Sequence, residues 1–367
     1  MDQVAGEIKT LADMDAKLAR ASMTGQWQYE TRLEKAIAGP KPSGVPFIWH
    51  WQNVSEMLHD ACRVLPESKT ARRTLAFNNP ELSHGGTTHT LIAAIQIAMP
   101  GELAWAHRHS ISALRFGIEG GRDLYTVVNG EALAMEPNDL VLTPPLCWHD
   151  HHNDGNSNGI WLDVLDQPLV GALNQISYAP LGERAQQLQV PRKDDIDYRL
   201  PLVRSDWQTV PTEQRPLRYP WSHVSKELSR FADTDGSPID GVVLEYINPL
   251  TGGPALPTMS CNVQMLRPGL VTEEHRRSSS SICYVIEGSG TTVMEGRELN
   301  WGERDVFAVP DWISHFHVNR SKSRRAVLFV VNDAPLLKTM GLYREEATAS
   351  QRPHKASMAT IRPGHSD

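Results

Sequence analysis

Short apolar or alternating runs separated by turn residues dominate the chain from about residue 88 onward. In a first block, such runs cover residues 90–98, 113–118, 124–128, 139–142 and 159–165. Asn129-Gly130 lies between two of these runs and is a strong signal for a two-residue hairpin turn. The same pattern returns over residues 259–266, 281–286, 291–294, 305–309 and 325–331. Many short strands at near-regular spacing predict an all-β sandwich or barrel architecture.

The region before the first block has the periodicity of a helix. Apolar residues recur there at three- and four-residue spacing: Leu11, Met14, Leu18 and Ala21. This spacing predicts a helix over residues 3–37, which the turn residues Gly39-Pro40-Lys41-Pro42 end. A second, shorter helix is predicted over residues 53–65. Between the two strand-rich blocks, residues 167–240 are rich in Pro, Asp and Arg, which predicts a long linker with one or two helices.

The two strand-rich blocks share one motif. The first contains, in order, Gly101, His107, His109, Gly120, Pro144, His149 and Asn153. The second contains Gly269, His275, Arg277, Gly288, Pro310, His315 and Asn319. In both blocks a proline stands five residues before the last histidine and an asparagine four residues after it. Matching offsets at this many positions indicate two copies of one β-barrel domain.

Composition and charge narrow the class of protein. A chain of 367 residues with 40% hydrophobic and 22% charged residues is long enough for about two globular domains. The net charge of −7 argues against a general nucleic-acid binder. No apolar run approaches the ~18 residues of a membrane span, and the N-terminus lacks a signal-peptide pattern. Four cysteines without CxxC spacing favour free thiols, so we expect a cytoplasmic protein with no membrane partner.

The first block carries a candidate metal site. Side chains alternate along a strand, so His107 and His109 would point to one face. His149 follows 42 residues after His107 and would complete that face from a neighbouring strand. Three neutral imidazoles suit Fe(II), Mn(II), Cu or Zn and leave positions open for substrate and O2. The alternative is a metal-free barrel with three core or surface histidines. In the second block Arg277 replaces the middle histidine, so we expect no metal there.

The motif spacing resembles that of the cupin superfamily, and its duplication resembles a bicupin. The strings His107–Phe116 and Thr143–Asn153, together with Trp161-Leu162-Asp163, resemble the gentisate 1,2-dioxygenase family. That family also includes salicylate, 5-nitrosalicylate and 1-hydroxy-2-naphthoate dioxygenases. The resemblance extends roughly from Pro46 to Arg344 and is weakest in the first 40 residues and in 167–240. Many cupins have a glutamate ligand where this chain has Ala113 or Leu114, which leaves a site of three histidines.

The resemblance implies a fold and a set of boundaries. The fold is all-β, with two β-barrel or jelly-roll cupin domains, N-terminal helices and a partly helical linker. The implied segments are an N-terminal helical segment (1–70), a metal-binding cupin domain (71–170), a linker (171–245), a second cupin domain with a degenerate site (246–345) and a flexible tail (346–367). The family also implies a homo-oligomer, with a tetramer as the expected state.

The resemblance implies one Fe(II) per chain, held by His107, His109 and His149. Arg115 stands six residues after His109; on one regular strand it would share the ligand face and could bind a substrate carboxylate. His151, two residues after His149, is a candidate proton donor or acceptor for the substrate hydroxyl or bound oxygen. By resemblance, Asp163 would orient such a histidine. The remaining substrate-contacting positions implied by the family are Gln96 and Arg72.

The implied reaction inserts both atoms of O2 into a salicylate-type aromatic acid. Cleavage falls between the carboxyl-bearing and hydroxyl-bearing ring carbons. The expected substrate is gentisate or another 5-substituted salicylate such as 5-nitrosalicylate. Alternatives within the family are salicylate and 1-hydroxy-2-naphthoate. Outside it, the alternatives are a sugar-phosphate isomerase, a zinc cupin, or a non-enzymatic storage or ligand-sensing bicupin.

Overall fold

The computed structural model describes residues 10–30, 34, 39–65, 73–189 and 217–347. It divides into two compact units, residues 1–41 and 42–367. The first unit contains helix α1 (Leu11–Arg20) and a short 3-10 helix (Gln26–Tyr29). Thr10 and Asp13 begin α1 with a reciprocal pair of side-chain to main-chain hydrogen bonds. Such a pair satisfies two amides that the first helical turn leaves unbonded.

The end of α1 corrects one prediction. Ser22 has a left-handed backbone with φ of 54°. Its N–H donates to the Ala19 carbonyl, and the N–H of Met23 donates to the Leu18 carbonyl. These two bonds close the helix with a Schellman motif, which serves the carbonyls of the last turn. The single helix predicted over residues 3–37 is therefore wrong, because the chain leaves the helical path after Arg20.

The second unit contains four helices and 24 strands in the described ranges. The helices are α2 (Trp51–Val64), α3 (Gln167–Ala172), α4 (Trp221–Arg230) and α5 (Ala334–Thr339). The strands up to residue 180 are β1 (Phe47–Trp49), β2 (Arg73–Phe77), β3 (Ile92–Ala98), β4 (Leu103–His109), β5 (Ala113–Glu119), β6 (Leu124–Val128), β7 (Glu131–Ala134), β8 (Leu140–Thr143), β9 (His149–Asn153), β10 (Gly159–Leu165) and β11 (Tyr178–Pro180). The strands after residue 217 are β12 (Arg218–Tyr219), β13 (Val242–Glu245), β14 (Ile247–Asn248), β15 (Gly253–Pro254), β16 (Ser260–Leu266), β17 (His275–Arg277), β18 (Ser281–Glu287), β19 (Gly290–Met294), β20 (Arg297–Trp301), β21 (Val306–Val309), β22 (His315–Val318), β23 (Ala326–Asn332) and β24 (Glu345–Ala347).

The secondary structure agrees closely with the sequence pattern. Every strand predicted from the apolar runs is present, with bounds that shift by no more than two residues. The helix predicted over 53–65 is confirmed as α2, and α3 and α4 are the helices predicted within the linker. None of the described helices is long and apolar enough to cross a bilayer.

The strands form four large sheets, two for each copy of the repeated motif. The first copy has a six-stranded sheet, β12-β8-β5-β10-β3-β2, and a five-stranded sheet, β11-β4-β9-β6-β7. The second copy has β1-β21-β18-β23-β16-β13 and β20-β19-β22-β17-β24. The order β8-β5-β10-β3-β2 in one matches β21-β18-β23-β16-β13 in the other. The predicted duplication is confirmed, and each copy is a sandwich of two open sheets rather than one closed barrel.

Strand β1 precedes the first sandwich along the chain but lies in the second. It pairs antiparallel with β21, with Phe47 opposite Ala308. Directly after β1, Nδ1 of His50 and the main-chain N–H of Trp51 both contact the Asp305 carboxylate, at 3.0 and 2.8 Å. A run of three apolar residues is too short to indicate a strand, so the sequence did not predict that this segment pairs with a strand of the second sandwich.

The two sandwiches share one hydrophobic core. Phe116 of β5 stacks on Phe329 of β23 with ring centroids 4.0 Å apart, and Tyr284 of β18 meets Phe116 edge-on at 5.7 Å. Hydrogen bonds join the domains in both directions: the Thr258 hydroxyl donates to Asp166 at 2.7 Å, and Thr90 to Asp333 at 2.6 Å. The first cupin-like sandwich is therefore held rigidly against the second.

We expect Phe329→Ala to lower the free energy of unfolding by about 3–5 kcal/mol, because the deleted ring leaves a cavity between two domains. Urea denaturation followed by tryptophan fluorescence measures this loss. Phe231→Ala is the matched control, since that ring is 39% exposed at the end of α4 and should change stability by about 0.5 kcal/mol or less. Equal, small losses in both variants would contradict a shared core.

Candidate active site

Three histidines converge in the first sandwich. His107 and His109 lie on one face of β4, and His149 begins β9, directly opposite His107 in the antiparallel register. The ring centroids of His107 and His149 are 4.2 Å apart, and those of His109 and His149 are 4.7 Å apart. One nitrogen from each ring lies within 4.8 Å of the other two. The structure thus brings together the three residues that the sequence predicts as metal ligands.

The backbone sets which nitrogen each ring presents. Each Nδ1 lies at hydrogen-bond distance from a main-chain carbonyl oxygen two residues away: Trp105 at 2.7 Å from His107, Ile111 at 2.8 Å from His109, and Cys147 at 3.0 Å from His149. A carbonyl can only accept a hydrogen bond, so Nδ1 carries the proton in all three rings. In this tautomer Nε2 is the unprotonated nitrogen, which is the form in which imidazole binds a metal.

These residues fit a divalent metal ion. Nε2 of His149 is buried and has no hydrogen-bond partner among the described residues. Burial, followed by the positive charge of Arg115 and the neighbouring His107, lowers the pKa of His149 well below its usual value. A buried, neutral imidazole with an unused lone pair beside two others is a donor set for a first-row metal. In the described ranges, this is the only group of three such donors.

Arg115 and Asp163 form a buried pair beside the histidines. They lie opposite each other on β5 and β10, with Nε of Arg115 3.3 Å from Oδ1 of Asp163. Arg115 also donates to the Thr143 hydroxyl. The prediction that Arg115 shares one strand with His109 is wrong, because the chain turns between β4 and β5 and the two residues belong to different sheets. Arg115 nevertheless lies close enough to depress the pKa of His149.

His151 follows His149 on the same face of β9. The two ring centroids are 5.7 Å apart, and His151 is 2% exposed. Its Nδ1 contacts the Thr126 hydroxyl at 2.8 Å. Thr126 was not predicted, although the repeat contains a signal: Thr292 stands 25 residues before His317, as Thr126 does before His151, and contacts its Nδ1 at 2.9 Å.

The remaining predicted positions have different outcomes. Gln96 is buried near the middle of β3, opposite Trp161. Arg72 lies outside the described residues. Tyr178 was not predicted; it pairs with His109 across β11 and β4, and its ring stacks on His107 at 5.3 Å. It lies in the segment predicted as a linker, where no periodicity marks it.

Comparison with known proteins places this geometry in a family. The Cupin domain family matches residues 94–165 and 262–332. The chain is 42% identical over 347 residues to 1-hydroxy-2-naphthoate 1,2-dioxygenase of Nocardioides sp. (strain KP7), covering 94% of this chain and 90% of that protein. It is 39% identical to 5-aminosalicylate 1,2-dioxygenase of Comamonas sp., covering 94% and 92%, and 32% identical to gentisate 1,2-dioxygenase of Aquipseudomonas alcaligenes, covering 90% and 94%. The chain belongs to the gentisate 1,2-dioxygenase family.

A solved structure of the family extends the likeness to three dimensions. Salicylate 1,2-dioxygenase from Pseudoaminobacter salicylatoxidans, solved as an adduct with gentisate, superposes with a TM-score of 0.83 at 27% identity. The match covers 95% of this chain and 98% of that one. The predictions of a bicupin fold and of a ring-cleaving dioxygenase are confirmed. The protein acts on a salicylate-type aromatic acid with O2.

In this bicupin dioxygenase the second domain has lost one member of the triad. His275 and His315 lie opposite each other, with ring centroids 4.3 Å apart, as their counterparts do in the first domain. Arg277 occupies the place of the middle histidine. Its guanidinium forms ion pairs with Asp240 and Glu345. A cation fixed by two carboxylates therefore stands where the first domain presents its third imidazole.

Proposed function

We propose that the chain is an Fe(II)-dependent dioxygenase that cleaves a 5-substituted salicylate between its carboxyl-bearing and hydroxyl-bearing carbons. The observation that carries the proposal is a triad of Nε2 atoms, on His107, His109 and His149, which no carboxylate of the described residues joins. When bound, Fe(II) would supply an open, redox-active centre at which O2 and the two oxygens of the substrate meet. Three neutral ligands leave its full charge in place, which favours an anionic, bidentate substrate.

Arg115 is the proposed partner of the substrate carboxylate. It is 2% exposed and lies beside the triad, where a guanidinium can bind two carboxylate oxygens at once. Oδ1 of Asp163 lies 3.3 Å from Nε of the guanidinium and would help to orient it. The pairing also lowers the cost of keeping a positive charge in a buried site before the substrate arrives.

His151 is the proposed proton donor or acceptor at the substrate hydroxyl. Its contact with Thr126 through Nδ1 leaves Nε2 as the atom that would exchange the proton. Gln96, buried on β3, is the proposed hydrogen-bond partner of the bound acid. Arg72 is proposed as a further substrate contact on the family resemblance alone.

The proposed substrates are gentisate and 5-substituted salicylates such as 5-nitrosalicylate. The most similar relatives reported above are named for 1-hydroxy-2-naphthoate and 5-aminosalicylate, which both carry a carboxylate next to a hydroxyl. Ile92 and Ala94 precede Gln96 on β3, and such apolar side chains favour a ring substituent that needs no hydrogen bond. The 42% identity to the naphthoate enzyme supports 1-hydroxy-2-naphthoate as the second candidate.

O2 uptake by Fe(II)-reconstituted protein tests the proposal. The substrates to compare are gentisate, salicylate, 5-nitrosalicylate, 5-aminosalicylate and 1-hydroxy-2-naphthoate. We expect one O2 consumed per molecule of the preferred 5-substituted acid, with the ring-opened product identified by mass spectrometry. Uptake with 1-hydroxy-2-naphthoate alone would favour the second candidate. No uptake with any of them at one iron per chain would overturn the proposed reaction.

The proposed assembly is a homotetramer. Leu173, Ile176 and Tyr178 are each more than half exposed around β11, which is the edge strand of its sheet. An exposed apolar edge of this kind is typical of a surface that another chain covers. Light scattering should give four times the chain mass of 40.9 kDa, and a monomer mass would contradict the proposal. The cytoplasmic location stays a prediction of the sequence.

A further inference from the structure

The second domain contains a cavity of about 210 Å³ with a polar lining. Side chains with hydrogen-bonding groups dominate its wall: Ser260, Asn262, Gln264, Arg277, Ser281 and Asn332. The volume exceeds the share of several water molecules, so the cavity can hold a small organic molecule.

The cavity occupies the counterpart of the substrate pocket in the first domain. Gln264 stands five residues before Gly269, as Gln96 stands five residues before Gly101. Arg277 stands at the position of His109 in the repeated motif. The duplication therefore places the polar cavity at the site equivalent to the aromatic-acid site.

The chemistry of the wall differs between the two copies. On the paired central strands, Ser260 and Ser281 both lie opposite Asn332. In the first domain the equivalent positions form the register of Ile92 and Ala113 opposite Leu165.

Two residues after Ser260, Asn262 stands where the first domain has Ala94. Four positions that are apolar in the first domain thus have hydroxyl or amide side chains in the second. Hydroxyl and amide side chains each have more than one donor or acceptor site, so such a wall can hydrogen-bond to a ligand as well as to its own neighbours.

The charges of the wall identify the class of ligand. The lining contains two acidic and two basic side chains, so its formal charge is zero: Asp240, Glu245, Arg277 and Lys338. Arg277 is already paired with Asp240, and Glu245 accepts a hydrogen bond from the Ser260 hydroxyl at 2.7 Å. Arg277 forms ion pairs with two carboxylates, Asp240 and Glu345, so an anion bound here would meet more negative than positive charge.

What the wall offers instead is a set of amides and hydroxyls, which both donate and accept hydrogen bonds. A ligand hydroxyl has the same dual capacity. We propose that the second cupin domain binds a small, uncharged polyhydroxy compound, of the size of a polyol or monosaccharide, in this cavity. This ligand would occupy a site separate from the aromatic acid and would require no metal.

Saturation-transfer NMR on the full, Fe(II)-loaded chain tests the proposal, with D-glucose, D-galactose, L-arabinose and myo-inositol as probes. We expect at least one of these to bind saturably, with a millimolar Kd. L-Serine and gentisate serve as the zwitterionic and anionic comparisons, and neither should displace the bound polyol. Failure of all four polyols to bind, or their displacement by serine or gentisate, would overturn the assignment.

Asn262→Leu should fill the cavity and weaken polyol binding by about tenfold or more, while O2 uptake with the aromatic acid stays unchanged. Ala94→Leu is the matched control at the equivalent position of the first domain. It should impair turnover of the aromatic acid and leave polyol binding intact. If Asn262→Leu does not fold, the double variant Asn262→Ala/Ser281→Ala removes the same polar groups without adding volume. Polyol binding that survives these changes would place the ligand elsewhere and contradict the proposal.

Discussion

His109→Ala is expected to abolish metal binding and oxygen-dependent ring cleavage together. The change leaves two imidazoles at the site, and no other described side chain completes a group of three donors. Loss of groups that only support a metal ligand already reduces affinity or activity by about 10–100-fold, so loss of a ligand should exceed that range. Iron content after anaerobic reconstitution and O2 uptake measure the two effects on the same sample.

Two control variants make this expectation specific. His59→Ala removes an exposed histidine on α2 and should change neither the iron content nor the rate. His275→Ala removes the counterpart of His107 in the second domain and should also leave one iron per chain. If His275→Ala lost its iron and His109→Ala kept it, the metal would lie in the second domain, and our proposal would be wrong.

The sequence predicts the sandwiches well because their inner strands are short, largely apolar runs that are buried along most of their length. Residues 113–118 and 281–286 are examples, where β5 and β18 differ from the prediction by a single residue. Local pattern fails where tertiary contacts decide the structure. Strand β1 is three residues long and exists because β21 offers it an open edge. The prediction of a long N-terminal helix was wrong because Ser22 adopts a left-handed conformation that ends the helix, and a serine in the sequence does not indicate such an end as a glycine does.

In the candidate site, too, residues of a local motif could be predicted and residues brought in by long-range strand pairing could not. The histidine triad could be predicted because its three members have fixed offsets within a repeated motif. Arg115 was placed near the site by an argument that assumed a continuous strand, whereas the structure reaches the same place through a turn and a second sheet. Tyr178 could not be predicted, because it contacts His107 only through the pairing of β11 with β4. Residues brought by long-range pairing leave no mark in the local sequence.

Replacement of Arg115 is expected to damage substrate binding while leaving the metal in place. Arg115→Gln removes the charge that we propose binds the substrate carboxylate, and each hydrogen bond to a charged group contributes about 1.5–3 kcal/mol. We therefore expect kcat/KM to fall by about 10²–10³-fold, chiefly through KM, with one iron still bound per chain. Arg115→Lys keeps the charge but loses the two-pronged geometry, so its KM should lie between those of the wild type and Arg115→Gln.

Asp163 provides the control that separates binding from stability. In Arg115→Gln its carboxylate is left buried without its guanidinium, which should lower the melting temperature. The double variant Arg115→Gln/Asp163→Asn removes both charges and should recover much of that thermal stability without recovering KM. A double variant that regains the wild-type KM would show that Arg115 acts only on the fold. If Arg115→Gln instead loses its iron, the guanidinium supports the metal site, and the substrate carboxylate must bind to another group.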